Sequence, residues 1–421
     1  MTLPWDIHRI RQDFPVLHQE VHGQPLVYLD NAATTLKPQV VIDTVSHFCA
    51  TDYANVRRGV HTLSARATTR FEAVRSQVQR FINAANPQEI IFVRGVTEGV
   101  NLVAHGLGQV HFAPGDEIIL TELEHHANIV PWFQLAQRLH LTLRVLPIRE
   151  SGELALEQLE TLWSPRTKLF ALTHVSNALG TINPLATLLA AAKARGVPTL
   201  VDGAQAIAHL PVDVQALGCD FYLFSGHKLY APSGIGVLYA RQDWLQRLPP
   251  YQTGGEMVLR AGFDAVKFAP PPAKFEAGTP NIEGVIGLGA ALDYLQRLGL
   301  AAIAAHENQL LAYATAQLAT LDGLRIIGTA QHKSAILSFL LDKIHAHDAG
   351  TILDKRGVAV RVGHHCAMPV MQHFCVAATT RASFAFYNTC NEVDRLVAAL
   401  AEVIDLFAYP GDTNGRSTLA V

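Results

Sequence analysis

Cysteine is scarce in this chain of 421 residues: five are present, Cys49, Cys219, Cys366, Cys375 and Cys390. They form no C-x-x-C pair and leave an odd one over, which argues against a disulfide framework and for free thiols in a reducing compartment. Charge of one sign is equally scarce. Lys and Arg total 33 against 36 Asp and Glu, and no basic block stands out, so nothing in the charge pattern favours nucleic acid or an anionic membrane as a partner. Long apolar runs are missing as well: no segment continues far enough without charge to span a bilayer, and Met1–Arg11 lacks the uninterrupted apolar stretch of a secretory signal. Together these absences lead to an expectation of a cytoplasmic protein that acts on a small molecule. No internal repeat is visible.

What the chain does have is apolar bulk. It is 49% hydrophobic and 16% charged, enough for a large core spread over two or three domains. Short apolar runs alternate with helical patterns. Glu89–Val93, Glu117–Thr121, Lys168–Thr173, Pro198–Asp202, Phe221–Phe224 and Gly234–Tyr239 read as buried strands, and Ser64–Asn83 and Leu185–Arg195 as helices. That alternation predicts a mostly parallel sheet covered on both faces, in which ligands bind beyond the carboxyl ends of the strands. Thr97, His125, Asn177 and Asp202 all fall at such ends.

One lysine draws these observations together. Lys228 lies in Ser225-Gly226-His227-Lys228, a turn between two buried strands. Burial lowers a lysine's pKa and frees its amine to attack an aldehyde, for which pyridoxal phosphate is the obvious candidate; a surface lysine at a turn is the bland alternative. Ser225 and His227 beside it suit a phosphate. Asp202 ends an earlier strand, and a pyridoxal ring needs a carboxylate against its nitrogen to act as an electron sink. Gly95 and Thr97 open a helix directly after a strand, where backbone N–H groups and a hydroxyl can hold a phosphate, or where Thr97 serves only as a cap. Asn31–Thr35 is a run of small residues that permits close approach to a ligand or simply enters a helix.

These motifs resemble those of the fold-type I pyridoxal phosphate enzymes, within them the class V aminotransferase family, and within that the cysteine desulfurases of the SufS and CsdA type. The resemblance runs from Leu29-Asp30-Asn31-Ala32-Ala33 to Arg381-Ala382-Ser383-Phe384. It rests on Glu124-His125-His126, Val201-Asp202-Gly203-Ala204-Gln205, Ser225-Gly226-His227-Lys228, Glu276-Ala277-Gly278-Thr279-Pro280 and Arg361-Val362-Gly363-His364-His365-Cys366. It implies an α/β fold: a large cofactor-binding domain with a mostly parallel seven-stranded sheet (25–292), a smaller α+β domain (1–24 and 293–408), and a disordered tail (409–421). It also implies roles. His125 stacks on the cofactor ring, Asn177 and Gln205 bind the cofactor, and Thr279 reaches the cofactor phosphate of the other subunit of a homodimer. Asn31, Arg361 and Arg381 bind the substrate, L-cysteine, with Arg381 pairing its carboxylate. In that family histidine commonly stands where this chain has Arg57, near the partner's cofactor.

Cys366 is then the sulfur acceptor. It rides a loop after a strand, with His364, His365 and Arg361 beside it, the cationic setting that favours a thiolate. Its attack on the substrate sulfur would leave a persulfide and alanine, supplying sulfur for iron–sulfur cluster assembly through a SufE-like or SufU-like acceptor protein. The short loop between Cys366 and Arg381 implies that the acceptor comes to the thiol. A metal site at His364, His365, Cys366, His373 and Cys375 is set aside, because adjacent residues point apart and zinc spacings are missing. L-selenocysteine is an alternative substrate on the same scaffold. A transaminase or other lyase would not need Cys366, and an inactive sulfur-relay protein would not need Lys228 and Asp202. The remaining cysteines read as small core hydrophobes, with Cys375 conceivable as a second sulfur carrier.

Overall fold

A computed structural model describes residues 5–408. The expected tail at 409–421 lies outside the described residues. Seven strands form the main sheet in the order Ile90–Val93, Gly236–Ala240, Phe221–Ser225, Thr199–Asp202, Thr167–Thr173, Glu117–Thr121 and Thr142–Leu146. All pairings are parallel except those of Gly236–Ala240, which runs antiparallel to both neighbours. Successive side chains point to opposite faces, so each strand divides its apolar residues between two cores. Phe170, Val201, Phe224 and Val237 join one core, and Leu169, Leu200, Leu223 and Leu238 join the other. That double burial explains why the strands read as continuous apolar runs and not as alternating ones.

A second, four-stranded antiparallel sheet has the order Leu324–Ile327, Ile336–Leu341, Thr379–Ser383, Arg361–Gly363. Its Leu337, Phe339 and Ala382 pack with Leu396, Leu400 and Val403 of the final helix, Cys390–Phe407. That helix starts on a capping box: Thr389 Oγ1 accepts from Glu392 N–H, and Glu392 Oε2 accepts from Thr389 N–H. Val27 and Leu29 belong to this same core.

The apolar segment Val27–Asp30 reads as a strand in the sequence, but only Val27–Tyr28 forms one, pairing in parallel with Val358–Ala359. Val358–Arg361 divides between two sheets, because the chain leaves that pairing at Val360 before Arg361–Gly363 joins the four-stranded one. The stretch from Tyr251 to Pro280, which its Gly and Pro content alone marks as an irregular crossing, contains a hairpin, Val258–Ala261 with Val266–Phe268. Its side chains are mostly exposed, so no buried face marked it in the sequence. Among the described residues no helix is long and apolar enough to cross a membrane.

Candidate active site

The reversed strand brings the lysine to the acid. Thr199–Asp202 delivers Asp202 at its carboxyl end, and Phe221–Ser225 runs parallel beside it. The chain then makes one short helical turn, Gly226–Lys228, and comes back as Gly236–Ala240. Lys228 is thereby held at the same sheet edge as Asp202. Two glycines complete the approach: a Cβ on Gly236 would lie 2.6 Å from Gly95 Cα, and one on Gly95 would lie 3.0 Å from Ser225 Oγ. Only bare backbone lets the helix Val96–Val110 begin this close to the lysine turn. Ser225 Oγ accepts from Val96 N–H at 3.0 Å. The cap position is Gly95 and makes no side-chain bond, so Thr97 does not serve as the cap.

These residues line a cavity of about 220 Å³ with Ala32, Ala33, Thr97, His125, Asn177, Gln205, His227 and Arg361. Its walls take water from Asp202 and, in part, from Lys228, His125 and His227. Burial lowers the pKa of Lys228 to about 8 against the opposing pull of Asp202, whose own carboxyl is pushed up by burial. His227 falls to about 4 and His125 to about 3, first through burial and then through the nearby lysine. Both imidazoles are therefore neutral at pH 7. His125 Nδ1 accepts from Ala127 N–H at 3.0 Å, which assigns the ring proton to Nε2 and fixes the ring at the cavity wall.

Two supporting groups had no role assigned from sequence. Glu124, with no solvent exposure, accepts from Thr173 N–H at 2.9 Å and Asn128 Nδ2 at 2.7 Å, and shares a hydrogen bond with Thr121 Oγ1. Burial raises its pKa to about 8. It ties the His125 turn to two strands of the sheet. Lys37, whose pKa burial lowers to about 8, donates to Thr35 O and His227 O and braces the lysine turn from beneath. Neither shows any periodic or spacing signal; only the motif position of Glu124 could have drawn notice.

The smaller sheet supplies the other wall. Arg361 and Arg381 lie directly opposite each other on paired strands. Arg381 is fully buried: one Nη donates to Asp30 at 3.0 Å, the other to Asn177 O at 2.8 Å, and Nε has no partner among the described residues. Burial lowers its pKa to about 10 and raises that of Asp30. The fork expected to grip a carboxylate is thus already engaged, and Arg361 is the guanidinium that lines the cavity. Its Nη2 stands 3.7 Å from Cys366 Sγ. The cysteine loop is tied down at three points: His126 N–H donates to Cys366 O at 2.7 Å, Asn177 Nδ2 donates to His365 O at 2.6 Å, and His365 Nε2 meets Thr379 Oγ1 at 2.8 Å. His365 and Cys366 both adopt left-handed backbone, φ 53° and 57°, which side-chain-bearing residues seldom do in succession.

The cavity fits pyridoxal phosphate on its own features. Asn177 Oδ1 is buried without a partner among the described residues and can accept from a ring hydroxyl. A carboxylate faces a lysine, a neutral flat imidazole stands at the wall, and a helix N-terminus with Thr97 and Ser225 offers donors to a phosphate. Gln205 Nε2 donates to Ala32 O at 2.6 Å, holding the small-residue segment over the cavity.

Four residues do not join this group. Asn31 does not face the cavity: its Nδ2 donates to Ser383 O and Asn388 Oδ1, and its Oδ1 accepts from the Tyr387 hydroxyl, so its amide knits the chain ends together. Thr279 is exposed on its loop. Arg57 donates to Glu276, a buried acid that also takes Arg75 and Phe92 N–H. Cys375 is exposed, as are Cys49 and Cys390, so only Cys219 is the core residue expected of all four.

Comparison with known proteins agrees with this arrangement. The family model described as aminotransferase class-V matches residues 27–396. A cysteine desulfurase of Dickeya dadantii is 53% identical over 400 residues, which cover 95% of this chain and 97% of that protein. The crystal structure of the cysteine desulfurase CsdA of Escherichia coli superposes with a TM-score of 0.89 at 39% identity, covering 96% of this chain and all of that one. An apo cysteine desulfurase of Thermococcus onnurineus superposes with a TM-score of 0.91 at 38% identity, with the same coverage. The chain belongs to the class-V aminotransferase family of pyridoxal phosphate enzymes, in its cysteine desulfurase branch.

Proposed function

We propose that the chain converts L-cysteine to L-alanine with Lys228 as the cofactor-bearing amine and Cys366 as the sulfur acceptor. The observation that carries this reading is the placement of the Cys366 thiol beside Arg361, which lines the same cavity as Lys228 and Asp202. Pyridoxal phosphate, when bound there, supplies an aldehyde and an electron-accepting ring. In that site Asp202 would meet the ring nitrogen, His125 would stack on the ring, Asn177 and Gln205 would hold its substituents, and Thr97, Ser225 and His227 would hold the phosphate. Lys228 Nζ, with its pKa near 8, takes and returns a proton close to neutral pH. Arg361 and the unpaired Nε of Arg381 receive the substrate carboxylate.

At Cys366 Sγ a sulfur–sulfur bond forms as the substrate's carbon–sulfur bond breaks, and the carbon takes up a proton. One thiol and one L-cysteine give one persulfide and one L-alanine, with no outside oxidant. L-Selenocysteine meets the same groups. The anchored loop supports a SufS-like role in the cytoplasm, in which a SufE-like or SufU-like protein approaches the persulfide and carries its sulfur toward iron–sulfur cluster assembly.

The working unit is a homodimer in this reading. Val60 and Phe263 are fully exposed, and their segments are joined by the Arg58–Glu256 ion pair at 3.2 Å, a surface suited to a second copy. Thr279 would reach the cofactor phosphate of that copy. Within each chain we place the boundary between the larger and smaller units near Asp30, since Val27 and Leu29 lie in the C-terminal core.

The test measures alanine released from L-cysteine with a thiol reductant by the native protein and by Cys366→Ser, each confirmed by visible absorbance to carry cofactor. Release should vanish in the variant alone. Equal release from both would overturn the persulfide mechanism.

A further inference from the structure

Beside the sulfur-accepting thiol stand two imidazoles, His126 and His364, that take no proton or substrate contact in the proposed desulfurase chemistry. His126, on the turn after Glu117–Thr121, lies far from Cys366 in the sequence, yet the two segments are joined twice: His126 N–H donates to Cys366 O at 2.7 Å, and Met368 N–H donates to His126 Nε2 at 3.3 Å. His364 flanks the thiol on the same loop, its Nδ1 accepting from Cys366 N–H at 3.0 Å. The two rings lie 5.5 Å apart, centroid to centroid. One ligand atom from each of His126, His364 and Cys366 lies within 4.8 Å of the other two.

We propose that His126, His364 and Cys366 form a two-imidazole, one-thiolate site for a soft divalent cation, Zn²⁺ or Cd²⁺, and that its occupation withdraws the thiol from sulfur transfer. The donor set is the one such cations select. Each imidazole turns a lone pair toward a loop N–H, so each holds an unprotonated nitrogen at the site, and the metal takes that lone pair in place of a single N–H contact. Tetrahedral bonds to nitrogen and sulfur bring ligand atoms to about 3.5 Å from one another. Closing a spacing of at most 4.8 Å to that value calls for small shifts, and His364, whose side chain is exposed, has room to make one. His126 also lines a second recess of about 560 Å³, which gives the cation a way in and leaves the fourth position to water. As the metal–sulfur bond forms, the Cys366 thiol releases one proton to solvent; nothing is oxidised or reduced.

His365, His373 and Cys375, the other nearby candidates, stay out of the site. His365 is turned inward to Thr379, His373 pairs with Glu122 at 3.3 Å, and Cys375 is exposed beyond the following helix. The consequence for activity rests on the reading of Cys366 as the sulfur acceptor; the site itself rests on geometry alone.

The experiment titrates Cd²⁺ into the cofactor-loaded enzyme and follows the ultraviolet thiolate-to-cadmium charge-transfer band, with Zn²⁺ affinity measured by calorimetry. One Cd²⁺ per chain should give the band, and Cys366→Ser should lack it. His126→Ala and His364→Ala, each with its cofactor absorbance intact, should bind Zn²⁺ at least about tenfold more weakly than the native enzyme. Alanine release by the native enzyme should fall over the same range of Zn²⁺. No band, or an unchanged Zn²⁺ affinity in both histidine variants, would overturn the site. Histidine-dependent binding by an enzyme that releases no alanine even without metal would overturn the desulfurase reading and the regulatory consequence, and leave the metal site standing.

Discussion

The lysine floor of the cavity and the cysteine loop behind its Arg361 wall are built on opposite terms. Lys228 sits on a turn clamped between fully buried strands, and its chemistry comes from lost hydration: nearby His125, His227 and Asp202 are all shifted toward their neutral forms by burial. Cys366 sits on a partly exposed loop in left-handed backbone, held by three hydrogen bonds from other elements. The floor needs rigidity and dryness to tune a covalent cofactor. The wall needs a fixed thiol that another molecule can still reach, and backbone strain is accepted there to present it.

Variants should separate the two. Lys228→Ala should lower alanine release by at least about a thousandfold and change the visible spectrum, whereas Cys366→Ser should lose release with the spectrum intact. A spectrum altered equally in both would erase the contrast.

Buried histidines around the cavity, on the floor and on the cysteine loop alike, should also reveal themselves in acid. His125, His174, His227 and His365 are held near 3, 4, 4 and 2 by burial. Between their usual value of about 6.5 and those values the unfolded chain binds more protons than the folded one, so stability present above pH 6.5 is lost as pH falls. Thermal melts from pH 7 to 4 should drop, and His125→Asn should flatten the slope. Glu124 works with the opposite sign: raised to about 8, it contributes stability below about pH 4.5 that is lost as pH rises through 8. Glu124→Ala strands buried donors and should cost about 3 kcal/mol in a denaturant titration, and Glu124→Gln about 1 kcal/mol.

Smaller effects test how the wall is completed. Thr279→Ala should weaken cofactor binding about tenfold, the loss of one hydrogen bond to a charged group. Mixed with Lys228→Ala chains, it should regain activity through hybrid dimers that hold one intact site; no regain would mean that each site belongs to one chain. Cys375→Ser should change alanine release less than about twofold, since its thiol lies away from the cavity.

Much of the floor was legible in the sequence because it is carried by local order: an apolar run, then the functional residue at its end. Asp202, Thr97, His125 and Lys228 could each be placed that way. The wall was less legible. His126 meets Cys366 only through folding, and Asn31, read as a substrate ligand, is used up by Ser383, Asn388 and Tyr387 from the far end of the chain. Arg381 is expected from the family motif to grip the substrate carboxylate with its fork, and no pattern in the sequence reveals that Asp30 already occupies it. The hairpin at Val258–Phe268 escaped because strands without a buried face carry no periodic signal.

The antiparallel strand Gly236–Ala240 has one more consequence, best put in terms of tolerance. A parallel return would carry the chain across the sheet through a helix, and every joint in that detour would add play to the position of the amine. Here the lysine hangs on a loop whose neck is fastened at Gly226 N–H to Ile235 O, 2.8 Å, immediately below a ladder in register at Ser225 and Gly236. The height of the amine above Asp202 is therefore set by a lever three residues long, and a slip of one residue in that ladder would turn the whole strand's side chains to the wrong face. The enzyme's accuracy at its reactive nitrogen is fixed by the register of one pair of strands.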